Sequence, residues 1–158
     1  MRTTSLRLIA AILAVAVLSL PALAGRKLNV SSGQTVYVPI YSHIYQGPKG
    51  KPYNLSALLS IRNVDQKRTI TVTSVKYYDN HGTLVKDHFA APVSIPPMGT
   101  REVYVSERDQ SGGSGANFTV RWQAEGGAAV PVIQAVMIGT ASGQGISFVC
   151  DGVAIEEN

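Results

Sequence analysis

The sequence predicts an all-β protein, an immunoglobulin-like β-sandwich of about eight strands preceded by a signal peptide. Three observations carry that expectation. Beyond residue 25 the chain is rich in Val, Ile, Thr and Tyr, and its apolar residues recur with a period of two. Such β-branched and aromatic side chains suit a pleated, half-buried surface. Breaks rich in Gly, Pro, Asn and Asp separate these runs about every ten residues, the spacing of a sandwich. No stretch beyond residue 25 repeats its apolar residues with helical period. A small β-barrel is the alternative. The Cys–Trp–Cys pattern of antibody domains is absent, so the likeness is one of architecture.

The first residues set the compartment. Arg2 and Arg7 form a positive head, Leu8 to Leu20 an apolar run interrupted only by Ser19, and Pro21-Ala22-Leu23-Ala24-Gly25 follows. This is the pattern of a secretory signal peptide with cleavage after Ala24. The run is shorter than the roughly 18–20 apolar residues that span a bilayer, and no later stretch is long and apolar enough to do so. The expected organisation is therefore a signal peptide over 1–24 and a single β-sandwich domain over 25–158, periplasmic or secreted. With Arg2 and Arg7 gone, 12 basic residues face 10 acidic ones and the formal charge falls from +4 to +2. No Lys/Arg cluster tracks phosphates, which argues against a nucleic-acid partner. The one cysteine, Cys150, has no internal partner for a disulfide. Its alternation with Ile146 and Phe148 marks it as a small buried hydrophobe.

The strands follow in order. Gln34 to Tyr45 alternates Val36, Val38, Ile40 and Ile44 with Tyr37, Pro39, Tyr41, His43 and Tyr45. Read as one strand, it sets three phenols and an imidazole in a row about 25 Å long. Pro39 suits an edge strand, and an edge bearing an aromatic stripe is suited to strand addition. The plainer reading is that a neighbour covers the row. Leu55, Ala57, Leu59 and Ile61 form the next stripe, and Asn63 to Arg68 is a polar break suited to a hairpin loop. Ile70 and Val72 point inward, and a change of phase before Val75 and Tyr77 predicts a bulge near Ser74. Asp79-Asn80-His81-Gly82 turns Lys76–Asp79 back onto Thr83–Phe89. Pro96 to Gly99 closes a segment and Arg101–Ser106 opens another strand. Gln110 to Gly115 reads as a flexible loop. Phe118, Val120, Trp122 and Ala124 alternate with Asn117, Thr119, Arg121 and Gln123, the clearest one-sided strand. Glu125-Gly126-Gly127 reads as a turn. Val130 to Thr140 is apolar on both faces, as in a strand covered on both sides, and Gly143-Gln144-Gly145 turns it into Ile146–Cys150.

Chemistry is sparse. His43, His81 and His88 with Asp79 and Asp87 have no preset metal geometry on strands, and neither a metal nor a cofactor is expected. None of Ser114, Ser142 and Ser147 lies in G-x-S-x-G. Gly139 to Gly145 lacks the lysine and helix of a phosphate loop; its glycines serve a tight turn or, alternatively, a nest of N–H groups for an anion. Lys49 and Lys51, beside the aromatic row, suit an anionic partner such as an acidic glycan or a phospholipid headgroup.

Two strings carry a resemblance: Gln34-Thr35-Val36-Tyr37-Val38-Pro39-Ile40-Tyr41-Ser42-His43-Ile44-Tyr45, and Ala135 through Gly145 to Phe148. Ser60-Ile61-Arg62-Asn63, Glu107-Arg108-Asp109 and Gly112 to Phe118 add to it. Over about residues 30 to 150 the chain resembles the bacterial family labelled domain of unknown function 3124. The resemblance implies an exported domain with a signal or lipoprotein leader, here without a lipobox cysteine, and transfers no catalytic residue. It marks a candidate surface of Tyr37, Tyr41, His43, Tyr45, Glu107, Arg108, Asp109, Ser142 and Gln144, with the charged triplet as anchors or as a structural salt-bridge corner. The expected function is a non-catalytic binding or assembly module of the cell envelope, its partner an envelope protein or glycan. The alternative is a periplasmic hydrolase or metal-binding protein using His43 with an acid such as Asp109.

Overall fold

The computed structural model describes residues 29–140, 143 and 145–157. The segment expected to be the signal peptide lies outside them, as do Ser142 and Gln144. The described chain forms twelve strands: β1 (Val30–Pro39), β2 (His43–Gln46), β3 (Lys51–Asn54), β4 (Ser56–Arg62), β5 (Ile70–Tyr78), β6 (Leu84–Asp87), β7 (Val93–Ile95), β8 (Thr100–Val105), β9 (Asn117–Ala129), β10 (Val132–Gly139), β11 (Ile146–Asp151) and β12 (Val153–Glu157). The larger sheet runs β12-β1-β9-β5-β6, with β7 also on β5, and the smaller runs β11-β10-β4-β8. They pack as a β-sandwich, and neither closes into the barrel held open above. The third sheet is a two-stranded ribbon, β2-β3.

Alternation fills the core. Val36 and Val38 of β1, Val72, Val75 and Tyr77 of β5, and Phe118, Val120 and Trp122 of β9 meet Ala57, Leu59 and Ile61 of β4 and Ala135 and Met137 of β10. The bulge expected near Ser74 is present, where the pairing of β5 with β9 slips between Val72 and Ser74. It keeps Val75 and Tyr77 inward after Val72, as the phase change requires.

Five expectations change. The run from Gln34 to Tyr45 is not one strand: β1 ends at Pro39, and His43 opens the ribbon. Nor is β1 an edge, because β12 and β9 flank it; Pro39 is tolerated as its last residue. Asn63 to Arg68 does not close a hairpin but carries the chain from β4 in one sheet to β5 in the other. Glu125-Gly126-Gly127 lies inside β9, where β1's partners jump from Gln123 to Ala128; the extra residues bulge out and Arg68 Nη1 donates to the carbonyls of Gly126 and Gly127. Finally, β10 is covered on one face only, leaving Val132 and Ile138 exposed on the other.

The crossing from β4 to β5 is held by polar groups. Asn63 is buried, and its Nδ2 donates to the carbonyls of Arg68 (2.8 Å), Ile95 (3.0 Å) and Pro96 (3.1 Å). Its Oδ1 accepts from the Asp65 N–H. Asp65 in turn accepts from the backbone N–H groups of Ala129, Lys67 and Arg68. Those donors, Ala129 foremost, hold its carboxyl below the ordinary 3.8. A depressed folded pKa means that the unfolded chain takes up the proton first, so this stabilisation is complete above about pH 4 and is lost as pH falls through the folded value. Asp79, bonded by the Thr83 and His81 N–H groups, and Glu157, bonded by Gln34 and Ser31, add the same sign. Melting temperatures are expected to fall steeply below about pH 4, and Asp65→Asn is expected to lower stability at pH 7 while shallowing that fall. Thermal melts from pH 3 to 7 check both.

Candidate functional site

One end of the sandwich gathers the loops. Pro39 pairs with Asn117, Tyr78 with Asn117, Ser56 with Ile138, and Ala57 with Val105. The end of β1, the start of β9 and the end of β5 are therefore level in the larger sheet, as are the start of β4 and the ends of β8 and β10 in the smaller. Past Pro39 the backbone leaves β9 but keeps its bonds: Ile40 N–H donates to Ala116 O and Ser42 N–H to Gly113 O, both at 3.0 Å. The Leu55 N–H closes the base of the ribbon on Ser42 O.

Ser42 is the pivot. It occupies the inward phase that Val36, Val38 and Ile40 define, is buried, and its Oγ lies 3.1 Å from the Tyr77 hydroxyl. A polar residue on an apolar stripe was the signal for it in the sequence. Gly112 seals the other side, since a Cβ there would collide with the Tyr77 hydroxyl and Ala116. The Asn80 N–H donates to Gly112 O, and Gln110 Nε2 reaches Glu107 O (2.8 Å) and Ser42 O (3.5 Å). Gln110 to Gly115, expected to be flexible, is thus tied to three neighbouring segments.

The row of aromatics is split by this arrangement. Tyr37 stays on β1, half-buried on the outer face of the larger sheet between Thr119 and Val153. Tyr41 is half-buried against the core and packs edge-on against Phe148, centroids 5.6 Å apart. His43 and Tyr45 ride on the ribbon with rings 5.2 Å apart at 87°, and His43 Nε2 lies 3.2 Å from the Tyr45 hydroxyl. Tyr45 is 61% exposed. Beyond it the tip of the ribbon, Gln46, Gly47, Pro48, Lys49 and Lys51, borders an open hollow of about 230 Å³.

Glu107, Arg108 and Asp109 form a turn. The Asp109 N–H donates to Ser106 O, the Arg108 N–H to Ser106 Oγ, and the Asp109 carboxylate accepts from the Ser111 N–H and hydroxyl. The Asp109 charge acts on the imidazole of His88. His88 sits beside Phe118 (5.7 Å) and Tyr77 (6.5 Å), and its Nε2 finds no hydrogen-bond partner among the described residues. Burial, aided by Lys86, pushes its pKa below 6.5 against the opposing pull of Asp87 and Asp109. No sequence signal distinguished it from the other two histidines. Among the described residues no group of three or more His, Cys, Asp or Glu is placed to hold a metal ion. Cys150, half-buried, has its thiol pKa raised by burial and by Asp151, which suits an inert packing residue.

The family model described as "Protein of unknown function (DUF3124)" matches residues 33–155. The chain belongs to that family. The match spans this DUF3124 chain from Gly33 within β1 to Ile155 in the middle of β12 and takes in every loop at the gathered end. No curated protein matches it. A solved structure, that of Thermotoga maritima 1070, is similar at a TM-score of 0.47 and 14% identity, covering 79% of this chain and 97% of that one.

Proposed function

We propose that this DUF3124 protein is exported by a cleaved signal peptide and serves the cell envelope as a non-catalytic binding module of immunoglobulin-like type, its working part the β2-β3 ribbon. The observation that carries the reading is that this ribbon pairs with neither large sheet, yet presents an aromatic pair, half-buried His43 and exposed Tyr45, together with two exposed lysines. The sandwich does not need His43, Tyr45, Lys49 or Lys51 for its core. A rigid ring with a polar tip offers contact area at small entropic cost, and lysines add attraction to anions that salt screens. The ligand that fits is an anionic envelope glycan, a sugar face on Tyr45 and its acidic groups at Lys49 and Lys51.

The test is binding to a polyuronate in low salt. Tyr45→Ala and the pair Lys49→Ala with Lys51→Ala are each expected to weaken binding about tenfold. The melting temperature should hold within a few degrees, because exposed substitutions usually stay within about 0.5 kcal/mol. Tyr41→Ala, by contrast, is expected to lower the melting temperature through its lost packing on Phe148. Unchanged affinity in the ribbon variants ends the proposal. The export half is checked by N-terminal sequencing of periplasmic protein, with Gly25 expected first.

A further inference from the structure

We infer that the side of the sandwich made by β11 and β12 takes up an extended basic segment of another protein, which adds to β12 as a further strand. The strand-addition edge that Pro39 suggested on β1 is thereby relocated. β1 is interior, and β12 ends the larger sheet, while β11 ends the smaller one on the same side.

The chain itself fixes the two edges together. It passes from β11 to β12 through Gly152, whose N–H donates to Ile133 O at 2.8 Å. A Cβ at this position would stand 2.7 Å from both Ile133 O and Val36 Cγ1. All five residues of β12 are exposed, Val153 by 61% and Ile155 by 60%, and Val149 of β11 by 53%. An edge of this kind presents unpaired backbone groups, and proteins usually blunt it with lysine, proline or a cover. The opposite side is blunted so: Lys86 lies on β6, and Phe89 just past it packs under Arg101 of β8, 5.7 Å away, across the seam. Among the described residues β12 has only a bulge, where its partners on β1 jump from Thr35–Glu156 to Val36–Ala154.

Charge names the occupant. From Ile146 to Glu157 the chain holds Asp151, Glu156 and Glu157 and no Lys, Arg or His. The two glutamates are pinned along the edge: Thr35 Oγ1 donates to Glu156, and Ser31 Oγ and Gln34 Nε2 to Glu157. A second copy would bring three more acids and no cation to this edge. Laid antiparallel over its full length it sets Glu157 opposite Val153 and Glu156 opposite Ala154, so no carboxylate gains a partner while like charge accumulates, which disfavours a copy of this chain. A strand alternating Val or Ile with Lys or Arg meets both the aliphatic and the acidic groups. Main-chain bonds then supply affinity and the side chains selectivity.

The experiment titrates the labelled protein with a blocked heptapeptide alternating Lys with Val, its Glu-for-Lys counterpart, and a copy of the basic peptide N-methylated at alternate residues. Expected are saturable binding of the basic peptide, slowed hydrogen exchange confined to β11 and β12, and at least tenfold weaker binding of the other two. Val153→Thr with Ile155→Thr should weaken the basic peptide about fivefold without altering polyuronate binding, which separates this surface from the ribbon. Equal binding of the N-methylated peptide, slowed exchange elsewhere, or self-association of the chain that the double variant abolishes would each overturn the inference.

Discussion

Asn63→Ala is expected to cost about 3 kcal/mol and to lower the melting temperature by roughly 10 °C, a loss out of scale for a residue in a polar loop. The reason lies in what Asn63 joins. Its Nδ2 serves three carbonyls from two places: Arg68 at the end of its own crossing, and Ile95 and Pro96, where β7 gives way to the turn into β8. Both segments carry the chain from one sheet to the other, so a single buried amide holds two crossings in register. Truncation leaves the Ile95 carbonyl, whose bond is buried, without that donor, and an unmade buried hydrogen bond costs about 1–3 kcal/mol. The Asp65 N–H loses its acceptor at the same time, which loosens the carboxylate that three backbone donors surround. Asn63→Asp separates geometry from chemistry: the shape is kept, but acceptors now face carbonyls, and the loss should match or exceed that of alanine. Urea melts of the three proteins decide it. A cost below about 1 kcal/mol for alanine, the net worth of one ordinary bond, would show that the crossings hold themselves.

How much of this was legible follows from what periodicity measures. In β9 the alternation of Phe118, Val120 and Trp122 with Thr119, Arg121 and Gln123 gave both the strand and its buried face, because a side chain's direction is set by its own backbone. The phase change at Ser74 was legible for the same reason. Periodicity does not name the partner, however. Ile40 and Ser42 continue the inward phase of β1, so the run looks unbroken, although their hydrogen bonds have passed from β9 to the loop at Gly113 and Ala116. The aromatic row therefore reads as one surface, whereas the ribbon begins at His43 and takes only His43 and Tyr45 with it. Asn63 to Arg68 was plainly a turn, but nothing local states which sheet receives the next strand. The apolar residues on both faces of β10 were likewise ambiguous, since Val132 and Ile138 read the same whether covered or exposed. The buried neighbourhood of His88 required three segments, β5, β9 and the stretch after β6, to be assembled before it existed at all.

Trp122→Ala is expected to be the most damaging single substitution in the core, at about 3–5 kcal/mol, enough to lower the melting temperature by roughly 10–20 °C. Trp122 is fully buried near the middle of β9, opposite Gln34 on β1 and Val72 on β5. Its removal opens a cavity at the centre of the larger sheet, which strands held on both sides cannot collapse to fill. Its Nε1 and the Oε1 of Gln34 are both buried without a hydrogen-bond partner among the described residues, although Gln34 Nε2 donates to Glu157. An unpaired buried donor costs about 1–3 kcal/mol, so the indole stabilises by volume while its N–H opposes. Trp122→Phe removes the opposing group together with part of the volume, and its net cost should be near 1 kcal/mol. The difference between the two variants is the informative quantity. A phenylalanine that costs as much as alanine would mean that the N–H is satisfied, by a buried water bridging it to Gln34. Gln34→Leu, tested in the phenylalanine background and in the parent, would then show strong coupling in the parent alone.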